Sequence, residues 1–316
     1  MEAIFSSIFS FLLIILLGYY CSKKEYFAND FYKDLINFVL NIALPCLIFI
    51  HLAQKNISSL ININFVISYS LILLVTFIFS FITLKRIFGG SVSKSSLRAL
   101  TSSFSNTGYF GLPILTTLIG PEVISPIVIG TFINDIFLMP LAIFIVELDL
   151  KNDSKTKLHE VFLNVFKKSV VISAILGIVF SIFKIKLPFF LSQCVNEISL
   201  STSSLALFSV GMILQKQKVK LSKEIFSNIL IKAILQPMLA VVFVYFFKVG
   251  GLWGIVTILL SALPVGATPV LFSQKYKNYE KESSSALLLT TLLSLFTISF
   301  IILFYKEGLF NNLLDI

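Results

Sequence analysis

The sequence is poor in the side chains that carry most enzyme chemistry. It holds two histidines, three cysteines and one tryptophan in 316 residues. It has no His-Glu-x-x-His zinc motif, no Gly-x-Ser-x-Gly elbow and no phosphate-binding loop. Enzyme chemistry and an ATP-driven pump encoded in this chain are thereby excluded, and no catalytic residue, metal ligand or cofactor is expected. Cys21, Cys46 and Cys194 lie in or beside apolar segments without a Cys-x-x-Cys pair. That pattern argues against a disulfide framework or a zinc site. Charge is scarce as well: 13% of residues are charged, against roughly 25% in an average soluble domain.

What is present is apolar. Hydrophobic residues make up 57% of the chain and aromatics 14%, gathered in runs of about 20 residues, each long enough to cross a bilayer. The chain therefore reads as an all-α polytopic membrane protein, with the lipid bilayer as its first partner. The net charge of +9 would suggest nucleic acid in a soluble chain; here it reports lysines that fix topology, and no nucleic-acid partner is expected. The apolar run from Ile4 follows Glu2, with no Lys or Arg before it and no small-x-small cleavage pattern, so it reads as a first span rather than a signal peptide. Lysine outnumbers arginine 23 to 2, a bias that suggests an AT-rich, bacterial genome.

Ten spans are expected: Ile4–Cys21, Asp34–Leu52, Phe65–Leu84, Ser96–Ile119, Val123–Val146, Ser169–Phe183, Phe189–Leu214, Ile225–Phe247, Leu252–Gln274 and Ser283–Phe304. A polar linker over 148–168 separates a first repeat, 1–147, from a second, 169–316. Loops after odd-numbered spans hold nineteen Lys and Arg and the opposite loops five, with Lys232 left inside span eight. This bias places the linker in the cytoplasm and both termini outside, in the cytoplasmic (inner) membrane of a bacterium. An odd number of spans per half makes the second half an inverted copy of the first.

Two spans carry helix-breaking residues in corresponding positions. Span four reads Asn106-Thr107-Gly108-Tyr109-Phe110-Gly111-Leu112-Pro113, and span nine reads Leu263-Pro264-Val265-Gly266-Ala267-Thr268-Pro269. Proline removes an amide donor and glycine tolerates unwound backbone. Irregular backbone at membrane depth must face protein or a wet cavity, and paired breaks in the two halves point to a transporter site. New half-helices are expected to begin near Leu112 and Pro269. Their first amides lack intrahelical partners and carry the positive end of a helix dipole, which suits a carboxylate.

In these stretches the chain resembles the auxin efflux carrier family, which includes PIN-type auxin exporters and bacterial organic-acid permeases. The resemblance rests on Asn106-Thr107, Gly111-Leu112-Pro113, Leu263-Pro264-x-Gly266-x-x-Pro269 with Phe272 and Lys275-Tyr276, and on Asn37-Phe38-Val39 with Ala43-Leu44-Pro45 and Phe49 in span two. It covers essentially the full length, and the short linker is nearer to the bacterial members. The resemblance implies a scaffold of spans one, two, six and seven that carries a homodimer contact. It further implies a transport domain of spans three to five and eight to ten, in which the broken spans cross. The resemblance also implies that small organic anions are moved by an elevator-type motion.

The residues expected to meet substrate are Asn41, Asn106, Thr107, Gly108, Gly111, Pro113, Pro264, Gly266, Thr268 and Pro269. The Asn106 amide either binds a carboxylate or caps backbone at the break. Ser103, Ser105 and Thr107 either offer hydroxyls to a ligand or bond back to their own turn. Asn134 and Asp135 lie mid-span in segment five, where an ionisable group marks a pathway or a coupling site. Asp135 would carry a proton or help to hold Na⁺, or else merely tie span five to a broken helix. Lys232 either snorkels to the cytoplasmic end of span eight or attracts an anion. The function expected is a secondary transporter of small carboxylates, auxin-like or malate- and malonate-like. The rivals are a Na⁺-coupled symporter resembling the bile-acid family and a transporter-like sensor.

Overall fold

The computed structural model describes residues 2–28, 30–53, 61–150, 167, 169–216 and 221–315. Most of the expected linker, 151–166 and 168, lies outside the described residues. Helix fills every expected apolar segment. In order these are α1 (Glu2–Lys23), α2 (Phe31–Ala53), α3 (Ile63–Phe88), α4 (Val92–Ser103), α5 (Leu112–Leu118), α6 (Pro121–Leu150) and α7 (Ser169–Ile182). There follow α8 (Phe189–Lys216), α9 (Lys223–Phe246), α10 (Gly251–Ala262), α11 (Ala267–Lys275), α12 (Glu280–Lys306) and the short α13 (Asn311–Leu314). Five of them, α2, α3, α6, α9 and α12, are long and apolar enough to cross a membrane, and Leu13–Lys23, Val171–Ile182 and Gly251–Ala262 are shorter apolar stretches. The protein is an all-helical, multi-pass membrane protein.

Proline shapes these helices in a regular way. Among the described residues, four wide π turns interrupt the helical runs, at Val39–Ala43, Thr107–Gly111, Ile133–Leu138 and Ile231–Leu235. Each ends two residues before a proline: Pro45, Pro113, Pro140 and Pro237. The proline ring collides with the carbonyl four residues back and offers no amide hydrogen to it. Widening the preceding turn displaces that carbonyl without ending the helix. Asn41, Thr107, Asn134, Asp135 and Lys232 all ride on these turns.

The chain divides into two compact units. The first comprises Met1–Ile61, Gly108–Val128 and Asn164–Gln217. Within it α1 lies against α8 at backbone contact: a Cβ added at Gly18 would fall 2.1 Å from the carbonyl oxygen of Phe208, and one at Gly211 1.9 Å from that of Ile15. Small residues let membrane helices approach this closely. On α7, Gly177 admits Leu52 and the Phe49 carbonyl of α2, and the Phe49 and Phe180 rings meet edge to face at 5.1 Å.

The second unit comprises Asn62–Thr107, Ile129–Leu163 and Lys218–Ile316. Its helices are capped where loops hand over to them: Asn62 accepts from Phe65 N, Ser91 from Lys94 N and Ser222 from Ile225 N. These bonds satisfy amides that a helix start leaves open. Helix α4 is buried from Ser95 to Ser103 although half of it is serine and threonine. Most of those hydroxyls bond back to the preceding turn, as Thr101 does to Leu97 O and Ser103 to Ala99 O. A polar stripe on α9, Glu224, Asn228, Lys232 and Gln236 at every fourth position, meets α4 and the backbone beyond it. At one end Arg98, fully buried, pairs with Glu224 through Nε at 2.7 Å and Nη2 at 2.5 Å. Its Nη1 donates to the carbonyls of Leu84 and Gly89. The Arg98 charge, counted with the loop charges in the sequence, is thus part of the packed interior.

Candidate functional site

Both interruptions are real, and they meet. Helix α4 stops at Ser103, where Phe104 turns extended, and α10 stops at Ala262, where Leu263 turns extended. The freed segments pair as a single antiparallel bridge between Ser105 and Val265. Asn106 N donates to Pro264 O at 2.9 Å, and Gly266 N donates to Phe104 O at 3.0 Å. Among the described residues this is the one place where two extended segments pair. At membrane depth each unwound segment supplies the partners the other lacks.

Neighbouring helices satisfy what the bridge leaves over. Val265 N donates to Thr290 Oγ1 of α12 at 3.0 Å, and Asn134 Nδ2 of α6 reaches Ser105 O at 3.4 Å. The π turn of α9 and the residue that follows it serve the carbonyl ends of both stopped helices. Lys232 Nζ donates to Ser261 O at 3.3 Å, and Gln236 Nε2 donates to Ser103 O at 2.9 Å. Lys232 also donates to Ser105 Oγ at 2.6 Å and to Gln236 Oε1 at 2.5 Å. Its three N–H donors therefore have three oxygen partners, two of them near the negative ends of helices. At 1% exposure Lys232 does not snorkel, because those partners hold it at the crossing.

The restart of the first broken span differs from expectation. Helical backbone resumes at Thr107, not near Leu112, and Gly111 already has helical angles, φ −65° and ψ −49°. Neither Gly108 nor Gly111 has a positive φ, and a Cβ on Gly108 would meet nothing within 4 Å. Pro113 therefore sits inside a helical run, and the wide turn at Thr107–Gly111 accommodates it. The unwinding lies upstream, at Phe104–Asn106. Gly266 does need its missing side chain, since a Cβ there would lie 2.6 Å from the Phe104 ring. In the second broken span helix resumes at Ala267, with Thr268 and Pro269 in the first turn of α11.

The bridge thus brings together Asn106, Thr107, Pro264 and Gly266, with Thr268 and Pro269 just beyond. Asn106 is 9% exposed, and its Oδ1 accepts no hydrogen bond from the described residues. Thr107 Oγ1 accepts from Thr131 Oγ1 at 2.8 Å. Asn134 and Asp135 are both buried on the π turn of α6, with Asn134 Oδ1 also left without a donor. The Tyr69 hydroxyl is buried there too, beside Ser105 and Asn134. Asn41 belongs to the first unit, where its exposed side chain accepts from Ser169 Oγ at 3.1 Å; Gly108, Gly111 and Pro113 also fall in that unit. Sequence reasoning missed Gln236 and Thr290 as partners of the breaks. The four-residue spacing of Glu224, Asn228, Lys232 and Gln236 was the signal that pointed toward the first of them.

Comparison with known proteins agrees with this architecture. The chain is 22% identical over 285 residues to the uncharacterized transporter YfdV of Escherichia coli, covering 89% of this chain and 91% of that protein. It is 21% identical over 317 residues, 98% of each chain, to a Rhizobium meliloti protein named "Putative malonate transporter". An uncharacterized transporter of Methanocaldococcus jannaschii is 25% identical over 309 residues, 91% of this chain and 94% of that one. A model of the family described as membrane transport protein matches residues 3–302. The chain belongs to that family, the PIN-like auxin efflux family that its broken-helix motifs resemble, and is a membrane transporter rather than an enzyme.

Proposed function

We propose that this protein is a secondary transporter of small organic anions, with the joined breaks as its substrate site. The observation that carries the reading is the Ser105–Val265 bridge. It holds the Asn106 amide opposite Pro264, three residues ahead of the first amides of α11. Those amides, at Ala267 and Thr268, lie beyond the last bridge bond and at the positive end of a helix dipole, an arrangement suited to a carboxylate. The Rhizobium relative's name supports the same substrate class.

The finer reading is ten spans in a 5+5 inverted repeat, with both termini outside the cytoplasmic membrane. The domain of spans three to five and eight to ten would carry substrate in an elevator-type motion, the other spans forming a homodimeric scaffold. Asp135 is the group we assign to proton coupling, being an acid buried on a wide turn at membrane depth. Sodium symport is less well supported, because Lys232 and Gln236 already donate to the Ser261 and Ser103 carbonyls that would otherwise suit a cation.

Flux into proteoliposomes tests the reading. Saturable uptake of malate, malonate, lactate or indole-acetate is expected, persisting when Na⁺ is replaced by choline and responding to a pH gradient. A folded protein that moves none of these anions would refute it. Flux that vanishes without Na⁺ would move the assignment to the symporter, and tight binding without flux would move it to a sensor.

A further inference from the structure

Within the second unit, Lys232 Nζ is enclosed by three neutral oxygens: Ser105 Oγ at 2.6 Å, Gln236 Oε1 at 2.5 Å and Ser261 O at 3.3 Å. Among the described residues no carboxylate forms an ion pair with it, although the residue is 1% exposed. A buried charge is ordinarily matched by its opposite, as Arg98 is by Glu224. At Lys232 the compensation comes from oxygen dipoles, one of them a carbonyl in the last turn of α10, where the helix dipole is negative. Oxygens of these kinds are ligands for hard cations, and the carbonyl ends of broken membrane helices are where transporters hold such ions. The ammonium therefore has a cation's ligands rather than an ion pair's partner.

We propose that the space among Ser105, Gln236 and Ser261 is a monovalent-cation site filled permanently by the chain's own Lys232, so that the protein carries its cation on a covalent tether and needs none from solution. Lys232 is then the residue that determines ion dependence. Its charge draws the first break, through Ser105, and the carbonyl end of α10 to α9. A tethered cation cannot dissociate at either face of the membrane, so a Na⁺ gradient has nothing to drive through the site. The inference rests on the transport reading for this consequence, but not for the site itself. A tie made only of hydrogen bonds behaves differently. Na⁺ carries charge and no hydrogen, so it replaces a resident cation and does not replace a donor.

The experiment vacates the site. Lys232→Ala removes the ammonium and leaves its space, whereas Lys232→Met removes the ammonium and fills the space. Melting midpoints of both variants and the wild type are compared in NaCl, methylammonium chloride and choline chloride at equal ionic strength, choline being too bulky for the vacated space. Lys232→Ala is expected to melt about 3 °C or more higher in NaCl or methylammonium chloride than in choline chloride, by mass action. The wild type and Lys232→Met are expected to show no such difference. No gain for Lys232→Ala, or the same gain in all three proteins, would overturn the proposal. In proteoliposomes the wild type is expected to transport equally in NaCl and choline chloride, and Lys232→Ala only with Na⁺ or methylammonium present. Na⁺-dependent flux by the wild type, or cation-independent flux by Lys232→Ala, would overturn the assignment of ion dependence to this residue. Absence of flux in the wild type would sink the transport reading and leave the site to the melting data. If Lys232→Ala does not survive in choline chloride, it is purified in methylammonium chloride and then exchanged. Unfolding on exchange supports the site, and unfolding in every salt counts against it.

Discussion

Lys232 Nζ lies 2.6 Å from Ser105 Oγ, so a buried ammonium on α9 is bonded to the central residue of the first break. The same ammonium holds Gln236 Oε1 and Ser261 O. Lysine thus ties the first unwound segment and the carbonyl end of α10 to α9. Lys232→Met keeps the length of the stem and removes all three donors. It is expected to lower stability by about 3 kcal/mol, since three buried acceptors lose their partner, with relief from no longer burying a charge. A thermal melt of the purified protein in detergent checks this, and an unchanged midpoint would show that other donors replace the ammonium.

Arg98 and Glu224 form the other end of the α9 stripe. Removing one partner leaves a buried, uncompensated charge, which typically costs about 3–5 kcal/mol. Glu224→Ala should therefore be much worse than Arg98→Met combined with Glu224→Ala, which buries no charge at all. Melting curves of the two variants decide, and equal losses would mean that the pair is solvated.

The glycines divide into two kinds. Gly211→Ala sets a methyl carbon 1.9 Å from Ile15 O, so α1 and α8 must separate, with an expected loss of about 2 kcal/mol or more. Gly108→Ala meets open space in a helical turn. It should be neutral or stabilising by up to about 1 kcal/mol. Thermal stability of the two variants, measured side by side, should differ in sign or at least in size.

Pro237 sits two residues after the π turn that carries Lys232. Pro237→Ala restores an amide donor and lets α9 return to an ordinary α turn. Stability and transport are both expected to fall, because residues of the turn, Lys232 among them, rotate away from the breaks. Loss of stability with full transport would contradict this account.

Much of this architecture is legible in the sequence. The apolar runs marked the helices because lipid admits little else, and Pro264, Gly266 and the span-four motif marked both breaks. The restart at Thr107 was not legible. Proline was read as the start of a new helix, whereas Pro113 is tolerated within one because the preceding turn widens. Of the two readings of Lys232, snorkelling fails for a different reason. Its partners are a carbonyl end, a hydroxyl and the Gln236 amide oxygen, drawn together by the fold, and a backbone oxygen leaves no trace in residue identity. Arg98 was grouped with loop charges because only packing against α9 reveals Glu224 as its counter-ion.

The bridge between Ser105 and Val265 also bears on how the protein is made. The ribosome delivers the first break long before the second exists, so Phe104 O and Asn106 N enter the membrane region with no mate. Open backbone groups are not tolerated against lipid. The first half must therefore wait beside water or the insertion machinery until Pro264 and Gly266 arrive, and truncation before Leu263 should leave an insertion intermediate rather than a stable half-protein.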